Sequence, residues 1–220
     1  MSGGTTWATA GFELFGQHVV WIDLVGNIGA LATVMLAIRR TIWTWPVQLF
    51  ASSLLFAASI SAHVTGNALK QALFAALAVY GWWKWSRGIR AERTLPVRPG
   101  TIAERVTLIG IMIAGTGVVA LAFHLVNQNL FEISWNPLPD AYIFVGSAVA
   151  TFAQGRALID FWWIWVLVDL VGVPLAFGAG LVVSGVVYGV FLVLVAVGFV
   201  TWTREYRSRT AAPVEKVVSA

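Results

Sequence analysis

Asp169 closes the run Phe161-Trp162-Trp163-Ile164-Trp165-Val166-Leu167-Val168-Asp169, well inside an apolar stretch from Leu158 to Ala179. At ~1.5 Å of helical rise per residue, about eleven residues of apolar helix put its carboxylate roughly 16 Å deep in a hydrocarbon layer ~30 Å thick. A carboxylate at that depth costs ~2.5–3.5 kcal/mol even on the mildest scale, so a functional role is the default expectation. Trp162, Trp165 and Asp169 follow an i, i+3, i+7 spacing and share one helical face. Two indoles beneath one anion can stack on a flat heteroaromatic ring, or cage an organic cation through the ring quadrupole.

The elements that must position this face are membrane spans. Of 220 residues 59% are hydrophobic and 11% charged, with mean hydropathy +0.80, whereas a soluble domain is about a quarter charged. Cysteine is absent, which removes disulfides and thiolate metal sites from consideration. Basic residues begin only at Arg39, so residues 1–18 lack the positive start of a signal peptide. The stretch Trp7 to His18 is expected as an interfacial segment.

Seven apolar segments are long enough to span: Val19 to Ile38, Ile42 to His63, Asn67 to Trp85, Val106 to Val126, Asp140 to Gln154, Leu158 to Ala179 and Leu181 to Trp202. Gly178-Ala179-Gly180 is the expected turn between the last two. With alternating spans, Arg39, Arg40, the basic residues from Lys84 to Arg105, Arg156 and those of the tail 204–220 all fall on one side. Lys70 alone falls at the other boundary. The positive-inside rule then puts the N-terminus outside and the C-terminus in the cytoplasm. This bias accounts for the net charge of +4 without a nucleic-acid surface.

Two span ends repeat. Gly81 and Trp85 in Tyr80-Gly81-Trp82-Trp83-Lys84-Trp85 match Gly198 and Trp202 in Val197-Gly198-Phe199-Val200-Thr201-Trp202. The same interval brings Trp45 onto Trp162, Gln48 onto Trp165 and Ser52 onto Asp169. Three helices (19–85), a connecting region with a linker helix (86–139) and three further helices (140–203) are expected as a parallel repeat. Such repeats place a site near the midplane where the halves meet.

Polar side chains concentrate there: Asp23, Asn27, Gln48, Ser52, Asn67, Gln71 and Tyr80 from the first half, with Ser147, Thr151, Asp169, Ser184 and Tyr188 from the second. Many of them have a plain use as interhelical hydrogen bonds, each worth ~0.6 kcal/mol. Trp82, Trp83, Trp85 and Trp202 end helices and are expected as anchors in the headgroup belt, with Trp7, Trp21, Trp43 and Trp135 similarly peripheral. His18, His63 and His124 have no carboxylate one turn away and no third metal donor. Asp160, at a helix start, is expected to cap it. No Walker loop, His-Glu-x-x-His helix or Gly-x-Ser-x-Gly elbow occurs.

At Trp162-x-x-Trp165 followed by Asp169, the duplicated Gly-x-x-x-Trp ends and the three-plus-one-plus-three layout, residues 19 to 205 resemble the Pnu-type bacterial vitamin transporters. That family has nicotinamide riboside, thiamine and riboflavin branches. Arg39-Arg40-Thr41-Ile42-Trp43-Thr44-Trp45-Pro46, Asp140-Ala141-Tyr142-Ile143-Phe144-Val145-Gly146-Ser147 and Val168-Asp169-Leu170-Val171-Gly172-Val173-Pro174-Leu175 are most similar to the actinobacterial riboflavin branch. The resemblance implies facilitated diffusion of an unphosphorylated vitamin across the bacterial inner membrane, trapped afterwards by a cytoplasmic kinase. It carries stacking roles onto Trp162 and Trp165, and, by position, polar contacts onto Asn27, Gln48, Gln71 and Tyr188.

The expectation is therefore an all-α integral membrane protein that imports riboflavin. It needs no cofactor, has the bilayer as its surroundings, and leaves homo-oligomerisation open. Residue chemistry alone points elsewhere, because a carboxylate with two indoles favours a cation such as nicotinamide riboside or thiamine. An intramembrane enzyme would need a second group beside Asp169. Asp23, near the outward end of its span, is the sole candidate.

Overall fold

The computed structural model describes residues 10–14, 17–61, 65–92, 95–129, 136–178 and 182–211. Trp7, His63, Trp135, Ala179 and Gly180, and the side chains of His18, Asp23, Asn67 and Ser184, lie outside what is described. Seven helices follow a short hairpin: α1 (Trp21–Ile38), α2 (Thr44–Ser61), α3 (Thr65–Glu92), α4 (Ile102–Asn129), α5 (Pro137–Gly155), α6 (Phe161–Gly178) and α7 (Val182–Ala211). All seven expected spans are helices. The largest differences are that α3 and α7 run on past their terminal tryptophans and that α4 is longer at both ends.

The stretch before α1 holds a β-hairpin. β1 (Gly11–Leu14) pairs antiparallel with β2 (Gln17–Val20), Gly11 opposite Val20. The Phe12 ring lies 4.8 Å from Trp21, and the Trp21 N–H donates to Ala10 O at 3.0 Å. These contacts replace a side-chain cap on α1, which Val20 cannot provide.

α1, α2 and α3 pack in succession, as do α4, α5, α6 and α7, and the two groups meet where α3 faces α5 and α1 faces α7. Exposed large apolar residues cover the outside of the bundle, among them Ile109, Ile113, Val118 and Leu121 of α4. Among the described residues, Ile102–Asn129 and Val186–Thr210 are long and apolar enough to cross a membrane by themselves.

The turns after α1 and α5 are built alike. Arg40 N–H donates to Ala37 O and Thr41 N–H to Leu36 O; Ala157 N–H donates to Gln154 O and Leu158 N–H to Ala153 O. This is the paired-bond end that usually takes glycine in the left-handed region. Here Arg40 (φ 56°) and Ala157 (φ 55°) occupy it, despite a cost of about 1–2 kcal/mol for a residue with a Cβ.

The segment between α3 and α4 straps this same basic end. Leu95 and Val97 are buried, Arg98 N–H donates to Ala157 O, and Ile159 N–H donates to Arg98 O. Glu104 accepts from Arg98 and from Arg156. Asp160 does not cap α6 with its side chain. Its carboxylate accepts from Gly100 N–H and Arg105 Nε, because the strap brings two donors within reach and α6 begins on backbone bonds to the Asp160 carbonyl.

Candidate functional site

A cavity of about 380 Å³ lies between the two groups of helices, within the ~300–1,000 Å³ usual for small-molecule sites. Its lining runs from Asn27, Lys70 and Tyr188, near the starts of α1, α3 and α7, to Ala37, Gln154 and Trp162 toward the basic end. All eight residues singled out in the sequence (Asn27, Gln48, Ser52, Gln71, Trp162, Trp165, Asp169 and Tyr188) line it.

Each arrives there for a local reason. Gln48 and Ser52 are one turn apart on the inner face of α2, and Gln71 sits on α3 one turn before Phe74. Trp162, Trp165 and Asp169 occupy the inner stripe of α6, while Trp163 and Leu167 point outward, 54% and 48% exposed. Asp169 is buried and its Oδ2 has no hydrogen-bond partner. Gln154 Nε2 and Trp162 Nε1 are likewise buried without a partner. Buried polar atoms of this kind cost about 1–3 kcal/mol each when unsatisfied, so a cavity that collects them is suited to a polar ligand. Tyr188 is within electrostatic reach of Asp169.

Trp162 and Trp165 differ in setting. Trp165 is half-buried and borders the cavity. Trp162 is fully buried, and its ring lies where a Cβ on Gly198 would be. Trp45 lies against Gly81 in the same way. Only glycine admits a ring this close to a helix backbone.

Trp85 and Trp202 are not belt anchors. They are 1% and 0% exposed, whereas Trp82 and Trp83 are exposed, at 42% and 50%. Trp85 Nε1 donates to Gln154 O at 3.0 Å, and Trp202 Nε1 donates to Ala37 O at 3.1 Å. Each indole thus bonds the last turn of a helix in the opposite group. Trp45 with Trp85 and Trp162 with Trp202 form edge-on pairs at 5.1 and 5.7 Å. Helical phase explains the difference from the expectation: Trp85 lies one turn beyond Gly81 and Trp202 one turn beyond Gly198, the glycines that face the Trp45 and Trp162 rings, so both share that inner face.

The sequence reading also missed Lys70 as a cavity residue; it lines the cavity near the start of α3. Its i, i+1, i+4 relation to Gln71 and Phe74 was the available signal. Phe74, Phe161 and Phe191 complete apolar walls that residue type alone could not separate from lipid-facing side chains. Among the described residues no group of three metal-ligating side chains occurs.

The sequence from 20 to 204 matches the family model described as nicotinamide mononucleotide transporter. The riboflavin/roseoflavin transporter RibM of Streptomyces davaonensis is 47% identical over 205 residues, covering 92% of this chain and 93% of its own. The nicotinamide riboside transporter PnuC of Escherichia coli is 22% identical over 214 residues, covering 88% and 90%. The crystal structure of the vitamin B3 transporter PnuC shares the fold, with a TM-score of 0.66 at 19% identity over 84% of this chain and 81% of that one. With seven apolar helices, a ligand-sized cavity between them and a match along nearly its whole length, this chain belongs to the nicotinamide mononucleotide transporter family of multi-pass membrane proteins.

Proposed function

We propose that this protein imports riboflavin by facilitated diffusion, with cytoplasmic phosphorylation as the trap. The carrying observation is the 47% identity, along nearly the full length of both chains, to a riboflavin/roseoflavin transporter. The cavity supports the reading because one half-buried indole, Trp165, borders a space that also presents amides. Trp165 stacks on the isoalloxazine ring with Trp162 behind it. Gln48, Asn27 and Gln71 offer paired donors and acceptors to the pyrimidine edge, and Asp169, with Ser52 and Tyr188 near it, accepts from ribityl hydroxyls or the ring N–H.

The two groups of helices act as parallel repeats, α1–α3 and α5–α7, with α4 as linker and the segments 1–18 and 204–220 outside them. The interval from Trp45 to Trp162 is also that from Gly81 to Gly198, Trp85 to Trp202, Ala37 to Gln154 and Arg40 to Ala157, so each bond and turn described above has its counterpart. Rocking of one triplet against the other exposes the cavity to each side in turn. Lipid covers the apolar outside, and the basic end faces the cytoplasm. A cysteine introduced at Asn129 is then labelled by an impermeant maleimide on intact cells and one at Ala91 only after lysis; the reverse pattern refutes the orientation.

The transport reading is tested with purified protein. Riboflavin bound against an indole loses its fluorescence, and in kinase-free vesicles its uptake stops at equal concentrations with or without a pH gradient. Unchanged fluorescence together with thermal stabilisation by nicotinamide riboside would sink the riboflavin assignment. Concentrative uptake driven by protons would sink the uniport mechanism.

A further inference from the structure

The cavity carries a charge for which the proposed chemistry has no use. Of the residues that line it, Lys70 is the basic side chain and Asp169 the acidic one, one from each triplet. Their counterparts at the same interval are Val187 and Ser52, so neither charge is duplicated. Two indoles and a carboxylate alone make a site for an organic cation. An ammonium on the lining of the same 380 Å³ cavity opposes that preference. Asp140, in the first turn of α5, is the anion within electrostatic reach of Lys70. Asp140 is not part of the lining, so it is the lysine and not its counter-charge that borders the cavity.

We infer that Lys70 is a specificity-determining residue, which makes the cavity select a neutral stacked heterocycle and reject organic cations. The inference rests on the riboflavin reading above. Lysine offers three donors and no acceptor, so its head also suits the carbonyl-rich edge of a neutral flavin while repelling a pyridinium or thiazolium. At an effective dielectric of about 20, a unit charge several ångströms away changes a cation's affinity about ten- to a hundred-fold. Partial compensation by Asp140 places the effect at the lower end.

The test uses the full-length protein and reads a ratio: the affinity for riboflavin, from flavin quenching, over that for thiamine or nicotinamide riboside, from displacement of riboflavin. Lys70→Gln is expected to lower this ratio about ten-fold, and Lys70→Arg to keep it at the wild-type value. Asp140→Asn leaves the lysine in place and removes its counter-charge, so it should raise the ratio, and it remains informative where a Lys70 variant folds poorly. A ratio unmoved by both Lys70→Gln and Asp140→Asn overturns the role of Lys70 while leaving riboflavin as the substrate. A wild type that takes the cations as readily as riboflavin overturns both.

Discussion

The floor and the lining of the cavity are built on opposite rules. At the floor, residues at matching positions are alike and do the same thing. Trp45 and Trp162 lie against Gly81 and Gly198, and Trp85 and Trp202 each bond a carbonyl of the other triplet. Along the lining Phe74 and Phe191 match, but where a polar side chain stands the matching positions differ: Gln48 against Trp165, Ser52 against Asp169, Gln71 against Tyr188, Lys70 against Val187. A frame that clamps one group of helices to the other is served by similar contacts. A site for a ligand with no two-fold symmetry is served by unlike ones.

That contrast can be broken from the lining side first. Asp169→Asn keeps the shape but removes the charge from a buried oxygen without a partner. Riboflavin affinity should fall by the worth of a charge-assisted bond, ~1.5–3 kcal/mol or roughly ten- to a hundred-fold, with transport at saturation preserved. Equal affinity in a titration of the two proteins would remove Asp169 from the site.

The floor should respond in stability. Gly198→Ala and Gly81→Ala each drive a methyl into an indole ring, and the overpacking should cost ~1–3 kcal/mol, read as a lowered unfolding temperature. Gly110→Ala is the control, since nothing lies near its Cβ position. There the better helix propensity of alanine should leave stability equal or slightly raised. Unequal effects at 81 and 198 would show that the two clamps are not equivalent.

The smallest effect separates the two tryptophans of one helix. Trp165→Phe should weaken flavin quenching and binding by the ~0.5–1.5 kcal/mol of an aromatic contact. Trp162→Phe, which loosens the wedge on Gly198, should chiefly lower the unfolding temperature. Equal behaviour in both measurements would place Trp162 on the ligand as fully as Trp165.

Composition, spacing and the doubled Gly-x-x-x-Trp end were enough to determine seven apolar helices and the inner stripe of α6, while the family resemblance narrowed the polar side chains to those that meet at one cavity. Periodicity reports which side chains share a face, and hydropathy reports which faces avoid water. Neither distinguishes a protein interior from lipid, because both are apolar. Hence Trp85 and Trp202 read as headgroup anchors until packing showed their indoles bonding carbonyls of the opposite triplet. For the same reason Lys70 did not read as a cavity residue, although the meeting of helices places it on the lining. Tertiary structure alone decided those placements, since they depend on which helix faces which across a long stretch of chain.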